Sequence, residues 1–302
     1  MSFEKIKVWI RAARLRTLPL SISGIVVGNA LCIQDMNFSW ILFYLMLLTA
    51  IAFQIVSNFA NDYGDGIKGT DNSDRIGPKR VLQQGLLSSQ ALKKGIIWMS
   101  LVALSLAFIL ITAAFGRESW LYFLIFIGLA IFSVWAAIAY TVGKNAYGYR
   151  GLGDLFVFLF FGLVSVLGAY FLQLKVFSTA AFLLALVVGL LSVAVLNLNN
   201  MRDRENDAAA GKRSLVVILG PVVAKYYHYF LIVSPSVLIL FFFLRQPLSF
   251  YWLSFIGLIP LAFHLVKMIT NLDPKSLDPE LKKVALTTFA LSVLIFISFS
   301  FG

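Results

Sequence analysis

Apolar runs separated by clusters of charge divide the chain into nine candidate membrane spans, at about 17–34, 39–60, 96–115, 119–140, 154–173, 178–198, 227–244, 248–266 and 284–301. Each is close to the ~20 residues that an α-helix needs to cross a bilayer. Runs of this length favour helices over the short alternating strands of an outer-membrane barrel. Composition sharpens the picture: of 302 residues, 60% are hydrophobic and 13% charged, and the mean hydropathy is +0.88. Soluble domains carry roughly 45–50% apolar residues, so the chain is read as an all-α integral membrane protein, one domain over 1–302. The lone Cys32 lies in an apolar stretch. That excludes a disulfide framework and a thiolate metal site, and Cys32 is expected to pack as a small hydrophobe.

Charge then orients the spans. The net charge of +11, from 25 basic and 14 acidic residues, does not point to nucleic acid, because the charges sit between apolar spans rather than on a soluble basic face. One alternate set of connections (1–16, 61–95, 141–153, 199–226 and 267–283) holds 22 Lys and Arg, whereas the other set holds only Arg117, Lys175 and Arg245. The positive-inside rule places the N-terminus in the cytoplasm and, with nine spans, the C-terminus outside. Residues 1–16 interleave Phe3, Ile6, Trp9 and Ile10 with Lys5, Lys7, Arg11, Arg14 and Arg16. This pattern predicts an interfacial helix on anionic lipid, and with no small-residue cleavage site after it the first run is expected to be a retained span.

Candidate chemistry concentrates in two long cytoplasmic loops, 61–95 and 199–226, each after the second span of a four-span group. Seven of the 14 acids are there: Asp62, Asp65, Asp71, Asp74, Asp203, Glu205 and Asp207. Asn58 and Asp62 each recur 141 residues later, as Asn199 and Asp203. This offset suggests two pseudo-repeated four-helix units plus one helix, with the acidic segments facing each other. Asn199, Asp203 and Asp207 are spaced i, i+4, i+8, which predicts one face of a helix extending from the sixth span; Asn58, Asp62 and Asp65 share a face likewise. Paired carboxylates make a hard-oxygen site suited to Mg²⁺, which binds one or two carboxylates together with substrate phosphate oxygens. The bland alternative is that these acids pair with Lys68, Arg75, Lys79, Arg80, Arg202, Arg204, Lys212 and Arg213 on a solvated face. Two facing sets, with glycines at 64, 66, 69, 77 and 211 to admit phosphate oxygens, favour a metal-diphosphate site. Gly211-Lys-Arg-Ser is not a phosphate-binding P-loop, since no glycine lies five residues before it. Asp62-x-x-Asp65-Gly66 starts like a CDP-alcohol phosphotransferase motif, but Gly69-Thr70 stands where that motif needs Ala-Arg.

These residues together resemble the UbiA superfamily of intramembrane aromatic prenyltransferases, and within it the 1,4-dihydroxy-2-naphthoate polyprenyltransferases of menaquinone synthesis. The resemblance spans nearly the whole chain. It is carried by Arg14-Leu-Arg-Thr-Leu-Pro19, Asn58-x-x-Asn-Asp-Tyr-Gly-Asp65 with Gly69-x-Asp71, Asp74-Arg-Ile-Gly-Pro78, Tyr140-x-x-x-Lys144, Gly148-Tyr-Arg-Gly-Leu-Gly-Asp154 and Asn199-x-x-x-Asp203-x-x-x-Asp207 leading into Gly211-Lys-Arg213. Two positions depart from it: Gly66 stands where the broad family has its third acid, so that Asp65 serves, and Leu15 stands where the naphthoate branch often has Pro.

The resemblance implies nine helices around a central cavity and an enzyme that moves a polyprenyl group from its diphosphate to an aromatic ring with Mg²⁺. With a dihydroxynaphthoate acceptor, CO₂ is lost and demethylmenaquinone forms. Asp62, Asp65, Asp203 and Asp207 are expected to hold metal, with Asn58 and Asn199 binding the diphosphate beside them. Arg75, Lys144, Lys212 and Arg213 are expected to neutralise diphosphate, and Tyr140 to orient it or shield the allylic cation. Asp71 and Arg75 have a second reading, as parts of a loop that closes over the site.

Other readings remain open. 4-Hydroxybenzoate is the alternative acceptor. An ion-coupled transporter is the alternative of another class, disfavoured because the acids gather at helix ends rather than at the bilayer midplane. His228 and His264 are expected at the interface, Trp40, Trp120, Tyr226, Tyr227 and Trp252 in aromatic belts, and Gln54 and Gln173 facing a cavity. Asp154 reads equally as an N-cap, a loop anchor or an acceptor contact.

Overall fold

The computed structural model describes residues 3–73, 75–116, 119–244, 252–270 and 273–301. Among them there is no β-strand; a single isolated bridge joins Arg150 to Arg213. The helices are α1 (Phe3–Ala13), α2 (Leu18–Ala30), α3 (Trp40–Ile67), α4 (Ser89–Phe115), α5 (Trp120–Ala139), α6 (Gly153–Leu174), α7 (Thr179–Arg202), α8 (Arg204–Ala209), α9 (Leu215–Phe243), α10 (Leu253–Thr270) and α11 (Pro274–Phe301). Local chemistry sets their ends. The Ser88 hydroxyl accepts from the Ala91 amide at 3.2 Å to start α4, and Asp273 accepts from the Lys275 amide at 3.2 Å just before α11. Gly220, at φ 74°, breaks α9 immediately before Pro221.

Eight of these helices, α3 to α7 and α9 to α11 with α8 excepted, are long and apolar enough to cross a membrane. The expected span at 17–34 gives only α2, whose 13 residues rise about 20 Å against a hydrocarbon core of ~30 Å. The ninth span is thus not met by length among the described residues. Two expected boundaries move. The second span is expected to end at residue 60, yet α3 runs on to Ile67 and carries Asp62 and Asp65 with it. The predicted helical face 199–207 is interrupted: α7 stops at Arg202, Asp203 has φ −97° and ψ 9°, and α8 starts afresh at Arg204. A short acidic side chain favours such helix ends over helix interiors. Asp74, Arg117, Arg245 and the start of the expected span 248–266 lie outside the described residues.

The chain folds into two compact units that interleave in sequence. The first comprises Met1–Leu18, Leu45–Gly153 and Asp203–Ile218. It buries Phe59, Ala60, Leu92 and Ile96 together with Ala12 and Ala13 of α1, and both acidic segments belong to it. The second comprises Pro19–Tyr44, Asp154–Arg202 and Leu219–Gly302, with a core that includes Val188, Leu191, Leu198, Ile232, Ile239 and Leu291. Within it α6 widens into a π-helix over Phe158–Leu167. There a Cβ on Gly162 would come within 2.7 Å of the Gly189 Cα, so only small residues let α6 and α7 meet backbone to backbone.

The histidines correct the interfacial reading. His228 and His264 are fully buried in the second unit, with their Nε2 atoms 2.8 Å apart. His228 Nδ1 lies 3.1 Å from Asn197 Oδ1, and His264 Nδ1 lies 2.6 Å from Glu280 Oε2. Lys267 and Lys283 each place Nζ 2.9 Å from Glu280 Oε1. One carboxylate therefore satisfies a buried ring and two partly exposed lysines. Glu280→Ala should destabilise the protein by about 3–5 kcal/mol, the usual cost of breaking one side of a buried charged network. The check is the midpoint of thermal unfolding in detergent, expected to fall by about 10 °C. The glutamines are also engaged: Gln173 Nε2 donates to Asn29 Oδ1 at 2.8 Å, and Gln54 Nε2 to Asn58 Oδ1 at 3.2 Å. Cys32 is buried, as expected of a small hydrophobe.

Candidate active site

Because α3 continues past residue 60, it presents Asn58, Asp62 and Asp65 along one face, all buried. The chain then turns back through Thr70 and Asp71, whose amides both hydrogen-bond to the Asp65 carbonyl, at 3.0 and 3.4 Å. This brings Asp71 into the same cluster. On the second acidic segment, the Asp203 carbonyl accepts from the Asp207 amide at 2.8 Å, and the Asp207 carbonyl accepts from the Lys212 amide at 2.8 Å. Gly211, at φ 72°, makes the turn that returns Lys212 to Asp207.

Direct contacts join the two segments. The Arg75 guanidinium lies 3.3 Å from Asp71 and 3.5 Å from Asp203. Asn206 Nδ2 donates to the Thr70 carbonyl at 2.8 Å. Arg80 donates to Asp62 at 2.9 Å and sits 3.5 Å from Asp71 and 3.9 Å from Asp65. Arg14, from the turn after α1, also hydrogen-bonds to Asp62. Tyr149 donates to Asp65 Oδ1 at 2.8 Å and pairs with the Thr70 hydroxyl at 2.6 Å, while Lys68 lies over its ring at 3.9 Å. Lys212 reaches Asp207 Oδ2 at 3.3 Å.

The electrostatics arise from burial. Burial first, and then the neighbouring Asp65, push the Asp71 carboxyl up to about 7. Burial raises Asp207 to about 6, with Lys212 opposing the shift and Asp203 and Asp65 adding to it. Burial alone would lower the Lys212 ammonium, but Asp65 and Asp207 outweigh it and hold the lysine charged. Burial, with Asp65 alongside, keeps the Tyr149 hydroxyl protonated.

The remaining predicted residues are placed differently. Asn58 directs its amide at the Ala13 carbonyl, 2.8 Å, and at Thr17 Oγ1, 3.0 Å, so it pins the turn that carries Arg14. Asn199 lies on α7 in the second unit and accepts from Arg202 at 2.9 Å. Tyr140 packs edge-on to Tyr147 at 5.4 Å, and its carbonyl accepts from the Gly148 amide. Lys144 is exposed and, among the described residues, has no hydrogen bond or ion pair; Arg213 is exposed too, though its amide bonds to the Tyr149 carbonyl at 3.3 Å. Asp154 is buried at the start of α6 in the second unit.

The model that describes the UbiA prenyltransferase family matches residues 21–297. The chain belongs to the UbiA family. It is 41% identical over 302 residues to the 1,4-dihydroxy-2-naphthoate octaprenyltransferase of Haemophilus influenzae, a match covering 99% of this chain and 96% of that protein. It is 44% identical over 220 residues to the enzyme of the same name from Escherichia coli, covering 72% of this chain and 70% of that one. Its fold is similar to that of a UbiA homolog from Archaeoglobus fulgidus solved with DMAPP and Mg²⁺, with a TM-score of 0.63 and 17% identity over 96% of this chain and 99% of that one. As a UbiA member with eight apolar helices, the protein is a multi-pass membrane protein.

Whether a divalent cation suits this UbiA site is decided by the carboxylates themselves. Among the described residues, no three His, Cys, Asp or Glu side chains converge tightly enough to hold an ion unaided. Mg²⁺ does not need them to, since it takes one or two carboxylates and fills its shell with water and phosphate oxygens. Both carboxylate oxygens of Asp71, and Oδ2 of Asp207, are buried and accept no hydrogen bond of good geometry, although Arg75, Arg80 and Lys212 stand within ion-pair distance. Buried carboxylate oxygens that accept no hydrogen bond, on acids with raised pKa, fit a cation. The sequence suggests no site role for Arg14 or Tyr149, counts Arg80 only among the bases that surround the acidic segments and suit a diphosphate, and reads Asp71 as part of a lid. Their only signal is membership of the Arg14–Pro19, Gly69-x-Asp71 and Gly148–Asp154 motifs or, for Arg80, proximity to the first acidic run.

Proposed function

We propose that this chain transfers a polyprenyl group from its diphosphate to 1,4-dihydroxy-2-naphthoate on the cytoplasmic side of the membrane, with loss of CO₂, giving demethylmenaquinol, the hydroquinone form of demethylmenaquinone. The observation that carries this reading is the buried cluster in which Arg75 and Asn206 tie the two acidic segments together around carboxylate oxygens that accept no hydrogen bond. Full-length similarity to a naphthoate octaprenyltransferase supports the acceptor.

Asp65, Asp71, Asp203 and Asp207 are the residues to hold Mg²⁺, which when bound would neutralise charge on the leaving diphosphate. Asp62 has a different task, because Arg14 and Arg80 both converge on it. It holds two guanidinium groups where the diphosphate oxygens arrive, and Arg75 and Lys212 add two further cations. Arg213, next to Lys212, and Lys144, four residues after Tyr140, add positive charge on the approach. The allylic C–O bond breaks and diphosphate leaves with the electron pair. A C–C bond then forms at the ring carbon bearing the carboxylate, and CO₂ departs, its bonding pair restoring the ring. Burial of the cluster excludes the water that would otherwise quench the allylic cation.

Two experiments test this reading. Membranes containing the protein should prenylate the naphthoate and release its carboxyl carbon as CO₂; prenylation of 4-hydroxybenzoate alone would move the acceptor to another branch. The second concerns pH. The folded pKa values of Asp71 and Asp207, about 7 and about 6, lie above the ordinary 3.8, so the metal-free protein binds more protons than the unfolded chain across that window. The contribution of these groups to stability therefore falls as pH rises from 3.8 to about 7. A cation needs the ionised forms. Apparent Mg²⁺ affinity, read from calorimetry on the protein in lipid, should rise as pH increases towards about 7 and level off above it. Affinity independent of pH across that range would remove these two acids from the metal site.

A further inference from the structure

The N-terminal helix combines two features that the prenyl-transfer reading does not use. On α1, Phe3, Ile6 and Ile10 fall on one stripe and are 71%, 40% and 48% exposed. Lys7 and Arg11, both exposed, form the adjacent stripe. The far side is packed into the first unit: Trp9 meets Phe59 edge-on at 5.2 Å and covers Gly95, where a Cβ would come within 2.6 Å of its ring. Ala12 and Ala13 are buried. An exposed apolar stripe bordered by cations is the pattern of a helix lying in a headgroup layer, and anionic lipid is the surface whose charge complements it. Residues 1–16 carry five Lys and Arg against one acid, Glu4, in a protein that already sits in a membrane.

The second feature is the turn at the end of the helix. Arg14 adopts φ 50° and ψ 60°, a left-handed conformation that a non-glycine residue takes only when its surroundings impose it. Asn58 binds the Ala13 carbonyl and Thr17 Oγ1, Thr17 Oγ1 donates to the Arg14 carbonyl at 2.9 Å, and the Arg14 guanidinium is on Asp62. The seat of α1 and the position of Arg14 are thus fixed by one set of contacts.

We propose that α1 is a lipid-docking arm, held on the anionic headgroup layer by Phe3, Ile6, Ile10, Lys7 and Arg11, and that this docking keeps Arg14 at Asp62. The lipid contact stands on its own; its effect on the site rests on the diphosphate reading above. The test uses the full chain in vesicles of phosphatidylcholine, with or without phosphatidylglycerol. A nitroxide at Ile10→Cys, in a Cys32→Ala background, should collide with lipid-dissolved oxygen rather than with a water-soluble nickel chelate when anionic lipid is present. A label open to the chelate in both vesicles, or shielded from both probes by protein, overturns the docking. Each basic side chain near an anionic surface changes binding about fivefold, so K7Q/R11Q should weaken docking of the arm, and raise KM for the polyprenyl diphosphate in anionic vesicles, by up to about 25-fold. Its kcat should stay within about twofold, because neither residue touches the site. Wild-type protein in phosphatidylcholine alone should show the same rise. A lipid-facing label with unchanged KM overturns the link to Arg14 while the arm stands. The label is read without turnover, so a protein inactive on every prenyl diphosphate would defeat the functional reading and leave the docking decided separately.

Discussion

Asp203→Asn is expected to lower prenyl transfer by more than about a hundredfold while leaving the purified protein folded. The amide matches the carboxylate in shape, so Arg75, 3.5 Å away, keeps a neighbour of the same size and Asn206 still reaches the Thr70 carbonyl. What disappears is one negative charge where the two acidic segments meet. The Mg²⁺ concentration for half-maximal activity should therefore rise along with the loss in kcat. Asp62→Asn should cost a comparable factor by another route. Arg14 and Arg80 lose the anion on which both converge, so KM for the polyprenyl diphosphate should rise with little change in Mg²⁺ dependence. Near-normal activity in both variants would sink the assignment of this cluster as the reaction centre. The same phenotype in both would show that the division of labour between Asp62 and the other four acids is wrong.

Lys212→Met is the second substitution with a large expected effect. The ammonium is buried, lies 3.3 Å from Asp207, and is held charged by Asp65 and Asp207 against the pull of burial. Methionine preserves the stem and removes the charge. Five acids, Asp62, Asp65, Asp71, Asp203 and Asp207, then share the cluster with three arginines, and the carboxyls nearest the lost charge are driven further towards protonation. Turnover at neutral pH should fall about a hundredfold, since the diphosphate loses a fixed cation. Half-saturating Mg²⁺ should stay the same or fall above pH 8 or so, where the acids are ionised and a competing positive charge is gone. A purely structural lysine would instead show up as a lower unfolding temperature with kcat and Mg²⁺ dependence intact in the surviving protein.

The membrane class, eight of the spans and the pairing of the acidic segments are legible in the sequence, because each depends on local hydropathy or on a spacing along the chain. Helix ends are less so. The spacing puts Asn58, Asp62 and Asp65 on one helical face, yet hydropathy ends the second span at residue 60; α3 continues to Ile67, and Arg14 and Arg80, from outside it, satisfy Asp62 on its inner face. The converse holds at Asp203, where a spacing that suits a continuous helix falls on a break between α7 and α8. Partners far apart in the chain also explain the histidines. His264 finds its carboxylate at Glu280 on another helix, and His228 finds His264, so no local pattern distinguishes them from interfacial rings. Asp71 escapes a site role in the sequence for a related reason: two buried oxygens without a hydrogen bond are visible only once the chain has folded around them.

The most direct test monitors release of inorganic diphosphate from a polyprenyl diphosphate by the purified chain in lipid vesicles, with 1,4-dihydroxy-2-naphthoate present, as Mg²⁺ is titrated into EDTA-treated protein. No release is expected before Mg²⁺ is added, and then release in step with prenylated, decarboxylated naphthoate. Release or prenylation that proceeds unchanged in EDTA, or diphosphate release without any prenylated naphthoate, would contradict a metal-assisted transfer to the naphthoate.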